Sequence, residues 1–163
     1  MKFLLFILFI ILLRLAELLY SKRNEKWLLQ NGAIEYGKEH YAFIVSLHVL
    51  FILSLLFEHS LQSGDSYSLF FVCAYFILLV FKAWVLLSLG KFWNTKIYRI
   101  PGMPLIHKGP YKYVKHPNYL IVIAEIAIIP LAFHLYYTAI VFSILNGFIL
   151  FVRIKAENKA LRI

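Results

Sequence analysis

Five long apolar stretches dominate this chain and leave it few ways to fold. They run Phe3–Leu19, Tyr41–Phe57, Leu69–Leu89, Tyr119–Phe133 and Tyr136–Val152. An α-helix of about 20 apolar residues crosses a hydrocarbon core, and inside lipid the helix satisfies its own backbone polar groups. Composition points the same way, with 62% hydrophobic and 15% charged residues, against roughly 45–50% and 25% in soluble domains. A soluble domain of 163 residues could not cover that much apolar surface. The expected fold is therefore an all-α integral membrane protein with about five transmembrane helices. It forms one membrane domain over 1–163, with three N-terminal helices in 1–89 and a loop, helical hairpin and tail in 90–163.

Two stretches need comment. The first begins like a signal peptide, with Lys2 ahead of an apolar run, but no small-residue cleavage site follows and Arg14 and Glu17 interrupt it; it reads as a retained helix. The fourth is short, and only Phe133-His134-Leu135 parts it from the fifth. These two form either two spans, the preferred reading, or a hairpin that tilts or dips.

Charge sets the expected orientation. Lys22, Arg23, Lys26 and Lys38 follow the first stretch, and Glu58–Ser68 carries no Lys or Arg. Lys91, Lys96, Arg99, Lys108, Lys112 and Lys115 fill the third connection; the fourth has none; Arg153, Lys155, Lys159 and Arg162 mark the tail. This alternation predicts an outside amino terminus and a cytoplasmic carboxyl terminus in a multi-pass membrane protein. The formal charge of +9 suits anionic headgroups or an anionic ligand better than nucleic acid, because the basic residues lie in short connections between apolar runs. Cys73 is the single cysteine, which excludes an intrachain disulfide and a cysteine-based metal cluster. The expected partner is thus the lipid bilayer, with no nucleic acid and no metal.

The chemistry-bearing residues fall in two clusters. Segment 90–118 holds Pro101, Gly102, Pro104, Gly109, Pro110 and Pro117 and is expected to be a structured, turn-rich loop. It ends in Lys108-Gly109-Pro110-Tyr111-Lys112-Tyr113-Val114-Lys115-His116-Pro117-Asn118-Tyr119, where Pro117 suits the first turn of the next helix. The free N–H groups of that turn favour a carboxylate or phosphate. In the tail, Arg153 and Glu157 lie one helical turn apart on one face. A short turn between the last two apolar stretches lets both clusters converge.

Gly109-Pro110-Tyr111, Lys115-His116-Pro117-Asn118-Tyr119, and Arg153 followed by Glu157 resemble the isoprenylcysteine carboxyl methyltransferase family. That family's pattern is Arg-His-Pro-x-Tyr, a helical hairpin, and a pair of acidic residues after an Arg. The specific likeness covers about the last 70 residues. Arg14-Leu15-Ala16-Glu17 and Ser21-Lys22-Arg23-Asn24-Glu25 are similar to its small bacterial branch, associated with O-methylation of long-chain lipids such as alkylpyrones. Lys115 stands where the family has Arg, and Asn158 replaces the second acidic residue. The resemblance implies S-adenosylmethionine as cofactor, bound by Gly109, Tyr111, His116, Tyr119 and Glu157, with Arg153 near the acceptor. That acceptor is a lipid hydroxyl or pyrone, or a prenylcysteine carboxylate. Other classes with a similar helix pattern stay open: a phospholipid N-methyltransferase, a membrane reductase, or a non-catalytic membrane subunit.

Arg14, Glu17, Lys82 and Glu125 lie inside apolar stretches, where ionisable groups pair or face a cavity. Arg14–Glu17 and Lys82–Glu125 pairs are the structural expectation; the functional one makes Glu125 a catalytic base. His40, His48 and His59 read as satisfied helix or interface residues. Trp27, Trp84 and Trp93 read as membrane-boundary residues.

Overall fold

The computed structural model describes residues 1–62, 64 and 66–161 and contains five long helices. These are α1 (Lys2–Gln30), α2 (Lys38–Ser60), α3 (Leu69–Leu89), α4 (Pro117–Leu131) and α5 (Tyr136–Ala160). Apart from α4, each contains a stretch long and apolar enough to cross a membrane. Large apolar side chains such as Leu5, Phe43, Phe70, Val80, Leu87 and Phe148 lie exposed along them. Helices apolar on every side are at home in lipid, because no polar face is left to turn toward water. The chain is an all-α membrane protein. Arg162 of the tail lies outside the described residues.

Two boundaries differ from expectation. The first apolar stretch stops at Leu19, but α1 runs on to Gln30, because no Gly or Pro breaks Tyr20–Gln30. The helix ends at Asn31, followed by Gly32 at φ +77°, a conformation that glycine adopts freely. At 29 residues α1 is about 44 Å long, well beyond the roughly 30 Å hydrocarbon core. The fourth stretch is as short as expected, but its helix starts two residues earlier, at Pro117. Its helix has 15 residues, about 22 Å, and falls short of a full core. Pro130 lacks the N–H of the last turn, and His134, at φ +58°, reverses the chain within four residues. Leu135 N donates to the Pro130 carbonyl across that turn. α4 and α5 thus make a hairpin, and Glu58 of α2 caps α5 by accepting from the Tyr137 and Thr138 N–H groups.

The core sits toward the end of the bundle that holds the start of α1 and the α4–α5 turn, where Phe3, Ile7, Ile10, Phe51, Leu55 and Ile126 interlock. Close by is a network of charges. Arg14 bonds Glu17 at 3.1 Å and Glu125 at 2.7 Å, and Lys82 reaches Glu125 at 3.0 Å and Glu17 as well. Two cations against two carboxylates leave no net charge, which is what makes such a cluster tolerable in lipid. It ties α1, α3 and α4 together.

The connection after α3 is ordered, as its prolines suggest. It opens with a 3-10 turn at Gly90–Phe92, and β2 (Ile97–Arg99) pairs antiparallel with β1 (Ile34–Tyr36) in the register Ile34 to Arg99. A second 3-10 turn covers Gly109–Lys112. The extension of α1 holds this loop. Asn24 Nδ2 donates to the Gly90 and Trp93 carbonyls, Ser21 meets Asn94 and Thr95, and Glu25 accepts from Lys96 Nζ and the Tyr98 hydroxyl.

Candidate active site

Pro117 opens α4 and His116 sits at its cap, so the His-Pro pair faces the last turns of α5. His116 Nε2 donates to Asn158 Oδ1 at 3.2 Å, and Nδ1 stands 3.5 Å from Glu157 Oε2 without a hydrogen bond. Only the doubly protonated ring presents a proton to both neighbours. The Glu157 carboxylate accordingly pushes the His116 pKa up, against partial burial. Asn158 offers an amide oxygen there, which accepts without adding charge.

Arg153 and Glu157 do not pair with each other; Tyr119 stands between them. Its hydroxyl donates to Glu157 Oε2 and accepts from Arg153 Nε at 2.9 Å. Arg153 also donates to the Thr95 carbonyl. The result is a polar chain of Arg153, Tyr119, Glu157, His116 and Asn158 linking α4, α5 and the loop. Tyr111 closes the same space; burial first, and then the Glu157 charge, push its phenol up, so it stays a neutral donor.

These residues line two adjoining hollows. One, of about 100 Å³, is bounded by Trp93, Tyr98, Tyr111, His116, Arg153 and Glu157. The other, of about 420 Å³, is bounded by Tyr98, Arg99, His107, Tyr111, Lys115 and Glu157 among others. Together they fall within the range of small-molecule sites. Buried donors on their walls lack partners: Trp93 Nε1, Arg99 Nε and His116 Nδ1. Such atoms are costly unless a ligand or water satisfies them.

A third chamber, of about 90 Å³, lies deeper and shares Trp93, Asn118, Tyr119 and Arg153 with the first hollow. It also shares Arg14, Glu17, Ile44, His48 and Thr95 with a groove of about 360 Å³ between α1 and α2. Apart from those polar ends and Tyr41, Ile11, Leu15, Val45, Ile52 and their apolar neighbours line the groove. Shared lining residues therefore set an apolar groove on the helices, one narrow chamber and the polar hollows next to one another.

A model of the isoprenylcysteine carboxyl methyltransferase (ICMT) family matches residues 68–163, more than half of the chain. The protein belongs to that family. Its relatives include an uncharacterized protein, YpbQ, of Bacillus subtilis (strain 168), 46% identical over 162 residues that cover 98% of this chain and 96% of the relative. An uncharacterized protein of Haemophilus influenzae is 33% identical over 155 residues, 93% of this chain and 90% of the relative. No solved structure matches the chain.

Of the residues expected to form an ICMT-type site, Tyr111, His116, Tyr119, Arg153 and Glu157 come together. Gly109 does so only indirectly. It takes φ +53°, and a Cβ there would sit 2.1 Å from Ser88 Oγ, so its contact is with α3 and it shapes the loop. Glu125 departs from the expected role of a base. It is 1% exposed, with both oxygens engaged by Arg14 and Lys82; a carboxylate enclosed in this way has no free oxygen within reach of an acceptor's proton. Trp93, Arg99 and His48 were not singled out as site residues. A tryptophan beside a charged loop looks like a boundary residue in sequence, and only the fold turns Trp93 inward.

Proposed function

We propose that this ICMT-family membrane protein transfers a methyl group from S-adenosylmethionine to an oxygen of a lipophilic acceptor that reaches it from the bilayer. The observation that carries the reading is the adjacency, through shared lining residues, of the apolar α1–α2 groove, the chamber at Arg153 and the hollows around Glu157. A tail that prefers lipid and a donor that prefers water would meet there. The acceptor is a lipid hydroxyl such as that of a pyrone, or a prenylcysteine carboxylate; both combine a long apolar tail with an oxygen nucleophile.

The residues present fit the donor. Glu157 offers a carboxylate to its cationic end, Arg99 offers an unpartnered donor, and Tyr98, Tyr111 and Phe92 offer aromatic faces. When bound, the donor supplies an electrophilic methyl on a sulfonium centre. The chain's share is alignment and exclusion of water. His116 and Tyr119 orient the Glu157 carboxylate, and Arg153, fixed by Tyr119 and Thr95, marks the passage where the acceptor oxygen arrives.

The test uses purified protein in lipid nanodiscs, methyl-labelled S-adenosylmethionine and a total bacterial lipid extract. Label should enter the organic-soluble lipid, and His116→Ala and Glu157→Ala should each cut incorporation by more than about tenfold. Wild-type protein that labels no lipid would contradict the assignment.

A further inference from the structure

His48 lies on α2 in the middle of an apolar stretch and bears on both the deeper chamber and the α1–α2 groove. Its Nδ1 lies 2.8 Å from the carbonyl oxygen of Ile44, one turn back. A carbonyl only accepts, so Nδ1 carries a proton, and in the neutral ring Nε2 carries the lone pair. Around it stand Arg14 and Glu17 of α1, Lys82 of α3 and Arg153 of α5, all on the chamber wall, with Glu125 of α4 behind them. Glu17 and Glu125 are both paired with Arg14 and Lys82. Among the described chamber residues, His48 is the group with a basic atom not already committed to a cation.

Resting on the function proposed above, we infer that His48 is the proton acceptor for a neutral hydroxyl acceptor, an enol or phenol carried on a long apolar tail. A carboxylate acceptor would already be an anion and would need no base; a weakly acidic hydroxyl does need one. The acceptor O–H bond breaks and its proton passes to His48 Nε2. An electron pair of that oxygen forms the new O–CH3 bond as the C–S bond of the sulfonium donor breaks. The sulfur keeps that pair and leaves as a neutral thioether, and the imidazolium later yields its proton to water. The Arg153 guanidinium on the chamber wall steadies the oxygen while it carries negative charge.

Acceptor acidity provides the test. Two probes are given to nanodisc-embedded wild type and His48→Gln: para-dodecylphenol, un-ionised at about pH 8, and its ortho-nitro analogue, largely ionised there. His48→Gln should lower methylation of the phenol by about 100-fold or more and that of the nitrophenol by only a few-fold. S-adenosylmethionine binding, measured by calorimetry, should persist. His48→Ala should regain phenol methylation on addition of imidazole, which decides the matter should the Gln variant fail to fold. Equal losses on both probes, no loss on the phenol, or a wild type that methylates palmitic acid but neither phenol would each overturn the role of His48. A wild type that binds no donor and labels no lipid at all would instead remove the underlying methyl-transfer reading.

Discussion

The protonation of His116 is a lever that a single substitution can test. Its raised pKa arises because Glu157 faces Nδ1 and Asn158 accepts from Nε2. A raised folded value means the imidazolium's contribution is complete below the ordinary histidine value of about 6.5 and is lost as pH climbs through the higher folded one. Wild type should therefore exceed His116→Gln in thermal stability at about pH 6, and the gap should close by about pH 9. Unfolding midpoints in nanodiscs at the two pH values check this, and a gap independent of pH would refute it. At the same scale, Glu125 shows how depth alone misleads. An intramembrane carboxylate can be a base or a countercharge, and its neighbours Arg14 and Lys82 decide for the second.

At the scale of elements, the extension of α1 matters most. Tyr20–Gln30 leaves the apolar stretch but stays helical, and it carries Ser21, Asn24 and Glu25 up against the loop that walls the site. Asn24 is buried, and its amide satisfies two loop carbonyls. Asn24→Ala strands both and should cost roughly 1–3 kcal/mol. A lowered unfolding midpoint, together with faster hydrogen exchange confined to Gly90–Lys96, would show it; an unchanged exchange pattern would mean the loop holds itself. The two three-residue strands act with this staple, because the pairing of Tyr36 with Ile97 fixes where Tyr98 and Arg99 enter the larger hollow.

For the whole molecule, the long helices were legible because about 20 apolar residues in a row admit few alternatives. Pro117 gave the start of α4, and the His116 and Glu157 clusters were legible from their motif spacing. What sequence could not supply is contact between distant segments. Nothing local announces that Tyr119 bridges Arg153 and Glu157, or that Asn24 reaches Trp93. Strands of three residues carry no periodicity to read, and a helix that outlasts its apolar stretch shows only as a missing breaker. His48 looked like any histidine in an apolar run until α1 packed beside it and opened the groove.

On the proposed function, the loop and the end of α5 form one binding site for the methyl donor, with Glu157 at its heart. Calorimetric titration of S-adenosylmethionine into the purified protein in nanodiscs tests it most directly. Saturable one-to-one binding is expected, weakened roughly 10- to 100-fold in Glu157→Gln, the loss of a charge-assisted contact. No binding by wild type, or identical affinity in the variant, would contradict the account.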